Sequence, residues 1–89
     1  MKIKLELFGA SRDFSDKDHL EFNLKHKASI DDLRNEIIKY IDQKFQGNEN
    51  FIKVIKSSAF CSEDNEIISD NYKITKDQKI GIIPPIGGG

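Results

Sequence analysis

The sequence closes on Pro84-Pro85-Ile86-Gly87-Gly88-Gly89, and here its residue types and spacing best suit chemistry. Glycine has no Cβ, so Gly87 and Gly88 can thread a channel too narrow for any side chain. Pro84 and Pro85 fix φ and bias the preceding chain toward an extended form. A stiff stalk, a narrow flexible tip and the α-carboxylate of Gly89 suit a carboxylate that is itself the reacting group, presented to another protein's active site. Ile86 has nothing local to bury it and is expected to touch that partner. The plain alternative is a disordered terminus or an expression scar. The two prolines and the apolar Ile82-Ile83 directly before them argue against it.

The other reactive side chains form no constellation. Cys61 is the single cysteine, which excludes an intrachain disulfide and argues against a cysteine-based zinc site. As a lone cysteine in a strand-like run it reads as a small buried hydrophobe. His19 and His26 sit among charged residues without a Cys or carboxylate partner at ligand spacing, so surface histidines are expected. The glycines of the tail end the chain and do not open a helix, so no phosphate-cradling loop is present.

Composition narrows the class further. At 89 residues the chain holds one small domain with a single core. Charged residues make up 33%, and the formal net charge is -1. Lysines alternate with acids along the chain, which gives a solvated surface and not the basic face of a nucleic-acid binder. No apolar run approaches the roughly 20 residues that span a bilayer. The N-terminal segment alternates and lacks the apolar block of a signal peptide, so a cytosolic compartment is expected.

The elements that must carry the tail follow from periodicity. Ile3, Leu5 and Leu7 alternate with Lys2, Lys4 and Glu6, which predicts a half-buried strand from Lys2 to Phe8. Gly9 to Asp18 is polar and turn-rich. Leu20, Phe22 and Leu24 then alternate with Glu21, Asn23 and Lys25 in a second strand. Ser29 is a natural helix N-cap, with Asp31 and Asp32 in the first turn and capping-box spacing between Ser29 and Asp32. Ile30, Leu33, Ile37, Ile38, Ile41 and Phe45 form one helical stripe that Gly47 closes.

Residues 48–56 fit either a short helix or an irregular strand. Strands are expected at 57–61, 66–69 and 79–83, with a turn at 62–65. The order predicts an α+β roll, one mixed sheet wrapped on one main helix. The domain would cover 1–83 and the tail 84–89. The first and last strands are expected side by side and parallel at the centre of the sheet, so that the tail leaves from a rigid base. Alternation sends Ile82 and Ile83 to opposite faces, so one of them is core.

Ile83-Pro84-Pro85-Ile86-Gly87-Gly88-Gly89 resembles the apolar-Pro-Pro-apolar-small-Gly-Gly ending of the ubiquitin-like β-grasp sulfur carriers, in particular the small subunit of molybdopterin synthase (MoaD-type). Leu7-Phe8-Gly9-Ala10-Ser11-Arg12-Asp13 is similar to that family's first strand and loop. Ser29-Ile30-Asp31-Asp32-Leu33-Arg34 is similar to its helix start, and Ile74-Thr75-Lys76-Asp77 to its approach to the last strand. Two positions depart: Asp77-Gln78 stands where the family usually has Gly-Asp, and Cys61 where it often has Asn.

The resemblance implies a ubiquitin-like β-grasp and a carrier without catalytic machinery of its own. The Gly89 carboxylate would be adenylated by a ubiquitin-activating-type adenylyltransferase that consumes ATP, leaving no stably bound cofactor here. It would then become a thiocarboxylate and enter the large subunit of molybdopterin synthase, in a heterotetramer. There the sulfur would pass to cyclic pyranopterin monophosphate. Ile83, Pro84, Pro85 and Ile86 would dock, together with Ile67 or Ile68 on the outer face of the sheet. Carriers for thiamine thiazole synthesis or transfer-RNA thiolation share the Gly-Gly end but usually lack Pro-Pro. A ubiquitin-like modifier, joined to lysines through its last glycine, and a plain β-grasp binding module are the further alternatives.

Overall fold

The computed structural model describes residues 1–85. Alternation puts Ile3, Leu5 and Leu7 of β1 (Lys2–Leu7) fully into the core, and the strand ends where Gly9 takes φ +54°. A 3-10 turn follows (Gly9–Phe14), then β2 (His19–Asn23), which pairs antiparallel with β1. A two-residue β3 (Ala28–Ser29) leads directly into α1 (Ile30–Lys44).

The start of α1 is a complete capping box. Ser29 Oγ accepts from the Asp32 amide at 3.1 Å, and an Asp32 carboxylate oxygen accepts from the Ser29 amide at 2.9 Å. Such a cap contributes about 0.5–2 kcal/mol. These bonds to Ser29 hold the Asp32 carboxyl below the ordinary carboxylate value. Ile30, Leu33, Ile37 and Ile41 bury the predicted stripe. The helix closes as the Phe45 amide donates to the Ile41 carbonyl, and Gly47, at φ +70°, donates to the Asp42 carbonyl.

The undecided stretch is helical. Asn48 caps α2 (Glu49–Ser57), its side-chain oxygen accepting from the Asn50 and Phe51 amides. Ile55 is buried, and Phe51, Ile52 and Val54 pack against the core edge. The chain then forms β4 (Ala59–Cys61), β5 (Ile67–Ile68), β6 (Lys73–Ile74) and β7 (Gln78–Ile83).

Over the described residues, five strands make one mixed sheet in the order β2-β1-β7-β4-β5, and β3 pairs with β6 in a small separate ladder. As expected, β1 and β7 are parallel neighbours, with Leu5 opposite Ile80 and Leu7 opposite Ile82. On its other side β7 pairs antiparallel with β4. A strand bonded along both edges is the most constrained base this sheet can give to whatever follows it.

Three expectations change. The polar stretch 9–18 holds a core anchor: Phe14 is fully buried, its ring packs tilted against Phe51 with centroids 5.1 Å apart, and its carbonyl accepts from Tyr40 Oη at 2.9 Å. Leu20 and Phe22 are only half-buried, because β2 is an edge strand and the helices cover it incompletely. His19 does have a carboxylate partner, Asp18, whose oxygen lies 3.0 Å from Nδ1. That hydrogen bond holds the Asp18 carboxyl below its usual value.

Candidate functional site

The tail root is built by three neighbouring segments. In β7, Ile80 and Ile82 point into the core, which turns Lys79, Gly81 and Ile83 to the outer face. Ile83 is half-buried there, Pro84 is buried and Pro85 is exposed. Pro84 thus packs with the body, and the exposed part of the root begins at Pro85. Ile86, Gly87, Gly88 and Gly89 lie outside the described residues.

The outer face is apolar at the end of β7 that leads to Pro84. Phe8 extends the outward row of β1 (Lys2, Lys4, Glu6) and is 39% exposed. Its ring lies across Gly81: a Cβ on Gly81 would stand 2.8 Å from Phe8 Cε2 and 2.8 Å from Cys61 Sγ. Cys61 is buried, but on this outer face and outside the core cluster. It opposes Gly81 on one side and Ile67 on the other. Ile67 is 67% exposed, whereas Ile68 turns to the helix side and packs against the core. Of that pair, the outer face presents Ile67.

Toward the start of β7 the same face is charged. Lys79 Nζ lies 3.1 Å from Glu6 Oε1, and the Lys79 amide donates to Glu63 Oε1 at 2.8 Å. A small pocket of about 240 Å³ lies between Glu6, Phe8, Cys61, Glu63 and Lys79. A larger groove, about 860 Å³, lies away from the root between residues 23–28 and α1, lined by both signs of charge.

Phe8 and Gly81 were not singled out from the sequence, yet both carried a signal. An aromatic on the polar side of an alternating strand has no core to enter. A glycine inside a strand marks a close approach by something else. Among the described residues, no cluster of three or more His, Cys, Asp or Glu could hold a metal ion. Nor, among them, is any helix long and apolar enough to cross a membrane.

The chain has the ubiquitin-like β-grasp fold. It is similar to a Pyrococcus furiosus protein assigned as molybdopterin converting factor, subunit 1, at 22% identity and TM-score 0.69, over 96% of this chain and 98% of that one. It is also similar to SAMP1 from Haloferax volcanii at 11% identity and TM-score 0.69, over the whole of both chains. At these identities the likeness is one of fold. No protein-family model matches the sequence, and no curated protein matches it.

Proposed function

We propose that the chain is a sulfur carrier whose reacting group is the α-carboxylate of Gly89, and that it serves as the small subunit of a molybdopterin synthase. One observation carries the proposal: β7, bonded on both edges, runs straight into Ile83-Pro84-Pro85 beside an exposed apolar face. A base of that kind suits delivery of a terminal group into a partner.

A carboxylate is a poor electrophile, so sulfur cannot displace its oxygen directly. A ubiquitin-activating-type partner would join a Gly89 carboxylate oxygen to the α-phosphate of ATP, releasing pyrophosphate. A sulfide-equivalent nucleophile would then attack the acyl carbon, AMP would leave with that oxygen, and a thiocarboxylate would remain. The large subunit would receive Gly87 to Gly89 in a narrow channel, with the sulfur passing to cyclic pyranopterin monophosphate. Ile83, Pro85, Ile86 and Ile67 would supply the contacts, with Phe8 beside them. ATP belongs to the activating partner, and the cytoplasm is the expected setting.

The converting-factor neighbour supports the molybdopterin pathway, as does Pro84-Pro85. The likeness to SAMP1, a ubiquitin-like small archaeal modifier, favours a second reading in which Gly89 is joined to lysines. Single-turnover transfer separates the two. Thiocarboxylated chain, at two equivalents per pterin because a dithiolene takes two sulfurs, mixed with a molybdopterin synthase large subunit and cyclic pyranopterin monophosphate should lose its sulfur and yield molybdopterin. Retained sulfur, together with conjugates on lysine, would favour the modifier.

A further inference from the structure

We infer that the loop Phe8-Gly9-Ala10-Ser11 is a positioning element, a splint that fixes the direction in which the chain leaves the sheet after Pro84. The inference rests on the carrier reading, because only a delivered terminus needs a fixed line of departure.

Four observations converge on the splint. Register between β1 and β7 ends at Leu7 and Ile82, so beyond that point ladder bonds no longer align the two chains. Pro84 is nevertheless buried, and it lies against the loop: a Cβ on Gly9 would stand 3.9 Å from Pro84 Cγ. Gly9 reaches this place at φ +54°, a left-handed backbone that most side chains resist and that glycine and asparagine tolerate.

The loop is also fastened at both ends. The fully buried Ser11 donates to the Phe8 carbonyl twice, through Oγ at 2.6 Å and through its amide at 3.1 Å. Phe14 closes the far end inside the core, where Tyr40 Oη holds its carbonyl. On the sheet side, the Phe8 ring rests in the space that Gly81 leaves open. A proline with no amide to donate is thus held by shape, against a loop that cannot shift without breaking Ser11 or Phe14 from its partners.

The test separates backbone conformation from bulk. A Cβ at Gly9 meets only ordinary contacts, so size alone should not matter there. Gly9→Asn keeps access to the left-handed conformation, whereas Gly9→Val is β-branched and disfavours it. Cα–Hα order parameters from NMR relaxation would be measured at Pro84 and Pro85 in the full chain. We expect values near those of β7, about 0.85, in the wild type and in Gly9→Asn, falling below about 0.6 in Gly9→Val. Ser11→Ala, which removes one fastening without adding bulk, should shift them in the same direction and serves if Gly9→Val does not fold.

With an activating enzyme and ATP, Gly9→Val should lose about tenfold to a hundredfold in kcat, as misplaced reacting groups do, with KM within about twofold. Ile67→Asp, on the docking face, should raise KM instead. Equal behaviour of the Asn and Val variants, or a wild-type Pro85 already as mobile as a free terminus, would overturn the splint. A wild type that is rigid at Pro85 yet never activated would overturn the carrier reading instead.

Discussion

Arg34 ties the helical layer to the strand that flanks β7, and its removal has a loss that can be worked from the structure. Its side chain, 11% exposed, projects from α1 into the junction where α2 gives way to β4. Nη1 donates to the carbonyls of Ile55 at 2.6 Å and Ser58 at 2.9 Å, and Nη2 donates to Asp70 Oδ1 at 2.7 Å. The guanidinium carbon stands 4.9 Å from the centre of the Phe60 ring.

Two bonds from a charged donor contribute about 1.5–3 kcal/mol each, and the stacking about 0.5–1 kcal/mol. Asp70 adds less than about 1 kcal/mol, because its carboxylate is 65% exposed and water screens the pair. Against these stand about 2 kcal/mol of side-chain entropy regained when the arginine is truncated, and water reaching the freed carbonyls at the end of α2. Arg34→Ala should therefore cost about 3 kcal/mol, a fall in Tm of roughly 12–24 °C for a domain of this size. Arg34→Lys keeps the charge, with its donors on a single nitrogen and no planar fork, and should cost about half as much. Asp70→Ala should cost under about 1 kcal/mol. Urea unfolding followed by circular dichroism measures all three. An Arg34→Ala loss no larger than that of Asp70→Ala would refute the claim that the backbone acceptors carry the interaction.

Phe14→Ala should cost about 3–5 kcal/mol, a large share of the roughly 5–15 kcal/mol that holds such a domain, measurable by the same denaturation. Ile67→Asp should leave stability within about 0.5 kcal/mol while weakening partner binding, whereas Ile68→Ala should cost about 1–2 kcal/mol; calorimetric titration against the partner, with melting curves, tests the contrast. Asp32 has a depressed folded-state value, so its stabilisation is present above the ordinary carboxylate value of 3.8 and is lost as pH falls through the lower folded value. Asp32→Asn should flatten that part of the acid limb in a stability–pH profile, and an unchanged limb would count against the capping box as its source.

Long periodic segments were legible because burial writes its period directly into the residues. The alternation of Ile3, Leu5 and Leu7 and the stripe from Ile30 to Ile41 each match the buried faces. The parallel placement of β1 and β7 was a guess at topology that no residue pattern dictated, and the register agrees with it. What escaped was short or set by a single residue. Phe14 has no periodic neighbour in a polar stretch, and its burial depends on Phe51 and Tyr40 from distant elements. The pairing of Ala28–Ser29 with Lys73–Ile74 is two residues long, too brief for alternation to register.

The helix at Glu49–Ser57 was undecided because four apolar residues in five fit either period, and the Asn48 cap decides it. At the site, the root and Ile67 were visible as candidates. The contribution of Phe8 was not, since its ring is placed by the absence of a side chain at Gly81 across the sheet.

Intact mass of the chain, co-expressed with an activating enzyme and a sulfur donor, addresses the proposed chemistry most directly when fragmentation locates the change. The carrier reading predicts the replacement of one oxygen by sulfur, confined to the carboxyl group of Gly89 and abolished when Gly89 is deleted. An unmodified Gly89 carboxyl under those conditions, or sulfur located on Cys61 instead, would contradict it.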